Sequence, residues 1–165
     1  MSKVNGYQFK VSKKNIIQTT GVGPYSGAGS VANIIYLSLF VPANTFTVND
    51  VVQLEHGLQN SGGTQTITWR IYYNTSNTLT GAVQIAQRSE SVGLLFLPGM
   101  RKMAIRSNTN NTYVMGTSGN FYTDFQSISV VSSTLSINWT TDLYFLVAAI
   151  SNPDNMRGLY FKISN

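Results

Sequence analysis

The sequence has no cysteine and only one histidine, His56, among its 165 residues. Without thiols the chain cannot form a disulfide or a thiolate-bound metal site. A single imidazole is also insufficient for a zinc site, which takes three or four side-chain ligands. His56 follows Val52 and Leu54 at intervals of two, so that all three share one face of a predicted strand. We therefore interpret His56 as a structural residue and predict neither a metal nor a cofactor.

Charged residues are scarce as well, at 10% of the chain against roughly 25% in typical soluble domains. The net charge is +5, and the first 49 residues contain four lysines but no Asp or Glu. Such a basic segment can bind nucleic acid or an acidic protein surface, or it can simply be solvated. Four lysines without an arginine are a weak basic patch, so nucleic acid is not the partner we predict. These lysines are Lys3, Lys10, Lys13 and Lys14.

Carboxylates are the rarest of the charged groups, with six in the whole chain. Three of them occupy turns or strand junctions, where aspartate shapes the backbone: Asp50, Asp142 and Asp154. Glycoside hydrolysis usually needs two carboxylates that face one another, and no spacing pairs the remaining Glu55, Glu90 and Asp124. We predict a protein without catalysis. A small polysaccharide-degrading or esterase domain that uses these three acids is the enzyme alternative.

Long hydrophobic runs are also missing. The longest apolar stretches, IIYLSLFV (34–41) and LYFLVAAI (143–150), are too short to span a bilayer as helices. The N-terminal residues MSKVNGYQFK lack the apolar core of a signal peptide. The sequence therefore predicts no membrane segment and no secretion signal.

Alternation of apolar and polar residues with a period of two runs through much of the chain, which is typical of half-buried antiparallel strands. In 64–73, for example, Ile67, Trp69, Ile71 and Tyr73 share one face, while threonines and an arginine share the other. Strands are predicted at 34–41, 51–56, 64–73, 82–88, 93–97, 101–107, 112–115, 126–131, 133–141, 143–150 and 156–164.

About ten short strands without a convincing amphipathic helix predict an all-β domain. We expect an antiparallel β-sandwich of the jelly-roll type over residues 31–165. Residues 1–30 differ from this body, because they carry the four lysines and end in the glycine-rich segment GVGPYSGAGS (21–30). Such a segment is typical of a flexible or extended connection. We interpret residues 1–30 as a basic N-terminal arm.

Two predicted strands, 34–41 and 143–150, are apolar on both faces. One face of each can enter the core, but the other needs a cover, because large exposed apolar patches are unusual on monomers. Loops or the arm of the same chain could provide the cover, and so could another copy in a symmetric oligomer. The candidate oligomer interface consists of Ile34, Tyr36, Phe40, Tyr144 and Leu146.

Aromatic residues also lie beside polar groups in turn-rich segments such as GNFYTDF (119–125). Aromatic rings with neighbouring amides and carboxylates can bind sugars through stacking and hydrogen bonds. Aromatic residues of this kind also serve in cores and protein interfaces, so both interpretations stay open. The candidate glycan contacts are Tyr113, Phe121, Tyr122 and Asp124.

The segment FVPANTFTVNDVVQLEHGL (40–58), followed by the strand TQTITWRIYYN (64–74), resembles small β-sandwich domains of bacteriophage virion proteins. Such domains occur in tail fibres, tail spikes, head fibres and capsid decoration proteins. The motif is a strand, Pro-Ala-Asn-Thr, a spacer, Asn-Asp and a second strand, and the resemblance covers about residues 31–90. Where such domains often carry glycine before the aspartate, this chain has Asn49, which a turn tolerates.

The resemblance implies a jelly-roll or TNF-like sandwich that assembles as a trimer, with a structural or receptor-binding role and no catalysis. We therefore expect a homotrimeric head-fibre or capsid-decoration subunit, located in the virion and docked on a larger virion protein through its N-terminal arm. The alternative is the receptor-binding tip of a tail fibre, in which loop aromatics contact a glycan on the host surface.

Overall fold

The computed structural model describes residues 3–4, 7–8, 15–20, 33–60, 67–90, 96–115, 133–150 and 156–165. These residues form β-strands and turns and contain no helix. The strands are β1 (Lys3–Val4), β2 (Tyr7–Gln8), β3 (Ile16–Thr20), β4 (Ile34–Val41), β5 (Val51–Asn60), β6 (Ile67–Asn74), β7 (Val83–Glu90), β8 (Phe96–Ser107), β9 (Asn111–Met115), β10 (Ser133–Leu135), β11 (Leu143–Ile150) and β12 (Met156–Ser164).

Ten of the strands form two antiparallel sheets with a shared core. The six-stranded sheet has the order β10-β9-β8-β5-β12-β3, and the four-stranded sheet has the order β4-β11-β6-β7. β3 pairs with β12, β4 with β11, β5 with β8 and β6 with β7. One long hairpin that wraps into two facing sheets produces this order, which is that of a jelly roll. The prediction of an all-β, jelly-roll-like sandwich is confirmed.

The period-two pattern locates most strands correctly, because one side of each strand faces the shared core. β4, β11 and β12 have the predicted bounds. In β6 the predicted inner residues Ile67, Trp69 and Ile71 are all buried. The predicted strand at 126–131 lies outside the described residues.

The predicted break between strands 93–97 and 101–107 is wrong, since β8 runs unbroken from Phe96 to Ser107. Pro98 and Gly99 lie at the predicted break and pair with Gly57 and His56 of β5. On the other side, β9 pairs with β8 from Lys102 onward. Among the described residues, Pro98 therefore has no second strand neighbour that would need its missing N–H group, which is the situation in which a sheet tolerates proline.

The strand predicted at 133–141 is too long, because β10 ends at Leu135. Ile137 and Trp139 are nevertheless buried, as their spacing suggested. Trp139 enters the core from a turn, where its backbone N–H donates to the carbonyl oxygen of Asn108 at 2.6 Å.

The loop between β4 and β5, which contains the Pro-Ala-Asn-Thr and Asn-Asp elements, is a structural corner. Asn44 and Asn49 have positive φ angles of 59° and 74°, a conformation that asparagine tolerates better than most residues. Asn49 donates its backbone N–H to the Ile105 carbonyl at 2.8 Å. The Asp50 carboxylate accepts the backbone N–H of Thr47 at 2.8 Å, so that Asp50 shapes the turn as expected.

An aromatic cluster closes the sandwich at this corner. Phe46, which is 1% exposed, meets Trp139 edge to face at 5.9 Å between ring centroids, and Trp139 stacks on Phe145 at 5.8 Å. The buried indole Nε1 of Trp139 donates to Thr112 Oγ1 at 2.8 Å. Removal of one such ring costs about 3–5 kcal/mol. Phe46 is thus the residue by which segment 40–58 contributes to the packing of this end of the core.

The range assigned to the N-terminal arm contains a strand of the body. β3 (Ile16–Thr20) is the edge strand of the six-stranded sheet and pairs with β12 along five residues. β1 and β2 form a separate two-stranded hairpin. Of the four lysines, Lys3 lies in β1 with its side chain outside the described residues, and Lys10, Lys13 and Lys14 lie wholly outside them.

A β-bulge changes the predicted faces of β4. Val147 pairs with Leu37 and Ala148 pairs with Ile35, so that Tyr36 is the extra residue. Because paired residues share a face, Ile35 lies on the outer face with Ala148. Ile34 pairs with an inward alanine, and Tyr36 packs against the core. Ile34 and Tyr36 therefore do not share the outer face with Phe40 as the alternation predicted, and their assignment to an interface stays a prediction.

The other three interface candidates, Phe40, Tyr144 and Leu146, lie on the outer face of the four-stranded sheet. Phe40 is 44% exposed, and its ring lies 5.2 Å from that of half-buried Tyr144. Leu146 and Ala148 on the same face are fully buried within a single chain. The apolar surface that a second copy could cover is therefore centred on Phe40 and Tyr144, and it is smaller than the sequence predicts.

Candidate binding surface

The outer face of the six-stranded sheet, which we call the six-strand face, carries charged, amide and aromatic side chains close to one another. Val52, Leu54 and Leu58 of β5 point into the core, so the alternate residues Gln53, Glu55 and Gly57 lie on the outer face. Strand pairing arranges the face in rows across β3, β12, β5 and β8. Three consecutive rows are Ile16-Ser164-Gln53-Lys102, Gln18-Lys162-Glu55-Met100 and Thr20-Tyr160-Gly57-Pro98.

A groove of about 230 Å³ lies on this face over the first two rows. β5 contributes Val51, Gln53 and Glu55 to its lining, and the flanking strands contribute Lys102 and Lys162. Because these side chains come from three neighbouring strands, the groove crosses the sheet. Its lining therefore combines ammonium, carboxylate, amide and apolar groups within one small surface.

Hydrogen bonds fix the carboxylate at the centre of the groove. Lys162 Nζ lies 3.2 Å from Glu55 Oε1, and Gln53 Nε2 donates to the same oxygen at 2.6 Å. The Lys162 and Glu55 side chains are 26% and 28% exposed, so the ion pair is partly screened by water. A pair of this kind contributes about 0–1 kcal/mol to stability. Its main effect is to hold both charges in place.

An aromatic platform adjoins the groove at Gly57. A Cβ atom at position 57 would lie 2.6 Å from Tyr160 Cε1 and 3.0 Å from Phe96 Cε2, so only glycine lets both rings lie over β5. Phe96 remains 46% exposed. Burial, together with the negative charge of Glu55, raises the pKa of Tyr160. Its phenol therefore keeps its proton at neutral pH and can donate a hydrogen bond.

Positive charge exceeds negative charge on the six-strand face. Lys102, Lys162 and Arg157 are its cations in the rows that cross β5, and Glu55 is its anion there. Arg157 Nε donates to Gln59 Oε1 at 2.8 Å, which places it on the side of the aromatic platform away from the groove. An anionic ligand would be attracted to this surface.

Of the candidate glycan contacts, the structure describes Tyr113 alone. Tyr113 lies on β9, pairs with Ala104 on the six-strand face and is 40% exposed. Phe121, Tyr122 and Asp124 lie outside the described residues. Sequence reasoning missed Tyr160 and Lys162. Alternation in 156–164 places both on one strand face, but only the pairing of β12 with β5 brings them to Glu55.

The other titratable residues considered from the sequence lie in the core, in a turn or on separate sheets. His56 is fully buried edge to face with Phe161 at 6.4 Å, and burial lowers its pKa from 6.5 to about 3. Asp142 accepts the backbone N–H of Ala43 at 2.9 Å, which is a turn role. Glu55 and Glu90 lie on strands of different sheets. Across the part of the chain that the structure describes, no cluster of three or more metal-ligating side chains occurs.

Comparison with protein-family models, curated proteins and solved structures finds no match for this chain. The resemblance to phage virion domains therefore stays a prediction. No helix within the described ranges has the length and apolarity to cross a bilayer.

Proposed function

We propose that this chain is a non-enzymatic structural subunit of a bacteriophage virion, a head-fibre or capsid-decoration protein that assembles as a homotrimer. The observation that carries the assembly proposal is the contact between exposed Phe40 and half-buried Tyr144 on the outer face of the four-stranded sheet. The virion location rests on the resemblance of residues 31–90. The jelly-roll order of the strands is compatible with it.

Phe40 and Tyr144 have the properties of an interface centre. Full burial of an aromatic side chain covers roughly 150–250 Å², but Phe40 is only 44% exposed and Tyr144 is half-buried in a single chain. The pair would therefore add much less than that to the roughly 800 Å² that each partner buries in a standard interface. The pair would therefore be the energetic centre of a larger contact, in which a few aromatic residues supply most of the binding energy.

Hydrogen-bonded polar groups lie on the same sheet to one side of the pair. Ser38 pairs with Leu146, two residues from Tyr144, and Arg70 pairs with Ala148, four residues from Tyr144. Arg70 donates from Nε to Gln87 Oε1 at 2.7 Å and from Nη1 to Asn33 Oδ1 at 2.8 Å. Ser38 Oγ donates to Asn77 Oδ1 at 2.7 Å. An apolar centre with a hydrogen-bonded polar rim is the usual composition of a protein interface, and side chains already held in place lose little entropy on binding.

Light scattering after size exclusion tests the assembly. With 18.1 kDa per chain, a trimer weighs three times that mass. We expect the wild type to be trimeric at micromolar concentration and the double variant Phe40→Ser, Tyr144→Ser to be monomeric. Tyr113→Ser is the matched control, because it removes an aromatic ring of similar exposure from the other sheet. A monomeric wild type, or a control that dissociates equally, would refute the proposed interface.

Docking on a larger virion protein is the second part of the proposal, and the lysines of the N-terminal segment are its proposed contacts. Amine-reactive cross-linking of purified particles that contain the chain tests it. We expect cross-links from Lys10, Lys13 and Lys14 to one capsid or fibre protein, and fewer from Lys102. Cross-links spread evenly over all lysines would contradict docking through this segment.

A further inference from the structure

We propose that the groove on the six-strand face, together with the Gly57 platform, binds an acidic saccharide. The inference goes beyond assembly, because the surface belongs to the other sheet from Phe40 and Tyr144. It assigns a binding role to Lys162, Lys102, Glu55 and Tyr160.

The two lysines of the groove favour an anion. Lys162 lies on β12 and Lys102 on β8, the two strands that flank β5. These two strands are therefore about 10 Å apart. A ligand carboxylate in contact with their ammonium groups would gain charge-assisted hydrogen bonds, which are roughly twice as strong as neutral ones. The compact ammonium group suits a carboxylate that is otherwise solvated.

Glu55 and its neighbours require a ligand that also donates hydrogen bonds. A carboxylate at the centre of the groove would repel a ligand that is anionic throughout. It accepts well from hydroxyl groups, while Gln53, Ser164 and Asn165 can both donate and accept around it. A uronic or sialic acid unit has one carboxylate and several hydroxyls, so it matches both requirements.

The aromatic platform provides the third feature of a saccharide site. The rings of Tyr160 and Phe96 lie over Gly57, two residues from Glu55 and hence about 7 Å along β5. The apolar face of a sugar ring can pack on such rings while its hydroxyls stay hydrated. A short acidic oligosaccharide would cover the groove and the platform together.

The same surface fits single-stranded nucleic acid less well. Proteins that bind it line a path with several cations and stack successive bases on aromatic rings. Here the groove has two lysines and the Glu55 carboxylate, and this carboxylate would repel a continuous run of phosphates more strongly than the single carboxylate of a sugar acid.

A glycan array that holds acidic saccharides and their neutral counterparts tests the inference. We expect the wild type to bind sialylated or uronate-containing saccharides and not the uncharged parents or methyl esters. Lys162→Gln should weaken binding about tenfold, as the loss of one charge-assisted contact predicts, and Lys102→Gln, Lys162→Gln should abolish it. Arg106→Gln is the matched control, since it removes an exposed arginine of β8 outside the groove.

Further variants and ligands distinguish the proposed site from the competing explanations. Phe96→Ala should weaken binding without changing the preference for acidic saccharides. A silent array, equal binding of neutral saccharides, an unaffected double lysine variant or preferential binding of a single-stranded oligothymidylate would each overturn the inference. The molar mass of every variant is measured alongside, because the lysine variants should leave assembly intact while Phe40→Ser, Tyr144→Ser should leave the groove intact.

Discussion

The buried histidine predicts how the stability of the fold depends on pH. Burial lowers the pKa of His56 from 6.5 to about 3, because a charged ring would have to lie in the core beside Phe161. Between these two values the unfolded chain binds a proton that the folded chain does not. Stability is therefore highest above pH 6.5 and is lost as the pH falls towards 3.

The size of this effect follows from the two pKa values. Each pH unit below the unfolded pKa costs about 1.4 kcal/mol until the folded pKa is reached. Acidification to about pH 4.5 should thus remove about 3 kcal/mol from the free energy of unfolding through His56 alone. Since small domains have only about 5–15 kcal/mol in total, the loss should be easy to measure.

Urea unfolding at a series of pH values measures the effect. Fluorescence of Trp69 and Trp139, both buried in the core, reports the transition at one fixed chain concentration, so that any association contributes equally. His56→Leu removes the titrating group and keeps an apolar side chain of similar size. The pH profile of this variant should be flatter by about 3 kcal/mol over the same range. Parallel profiles for wild type and variant would show that His56 is not buried in a neutral form.

Three further substitutions test the packing. Phe46→Ala should lower the free energy of unfolding by about 3–5 kcal/mol because it empties part of the aromatic corner, whereas the exposed Val48→Ala should change it by less than about 0.5 kcal/mol; equal effects would contradict the corner. Gly158→Ala should destabilise by about 1–3 kcal/mol, since its Cβ would lie 2.6 Å from the carbonyl oxygen of Tyr36, and an unchanged melting temperature would refute that contact. Asp142→Ala should cost about 1 kcal/mol through the lost bond to a backbone N–H, while Asp142→Asn should retain part of it; an equal loss in both variants would refute this role.

The local sequence pattern predicts which residues of the candidate surface share a strand face. It does not predict which strands pair to form that surface. The alternation in 51–56 indicates that Gln53 and Glu55 share a face. No local signal states that β12 and β8 lie on either side of β5, because the pairing partners, from Gln59 and Phe96 to Gln53 and Ser164, are far apart in sequence. Gly57 illustrates the same limit, since its role depends on the Tyr160 ring from a distant strand.

By itself, the sequence determined the all-β class. It also determined the bounds of strand 156–164 through alternation, and those of strands 34–41 and 143–150 through short apolar runs. It also determined that His56 lies on the inner face of its strand, and that Asp50 and Asp142 serve turns. Tertiary structure alone decided the sheet order, the entry of residues 16–20 into the body and the bulge at Tyr36. The physical reason is that alternation depends on the nearest neighbours along the chain, whereas register and bulges depend on which distant strand supplies the hydrogen-bonding partners.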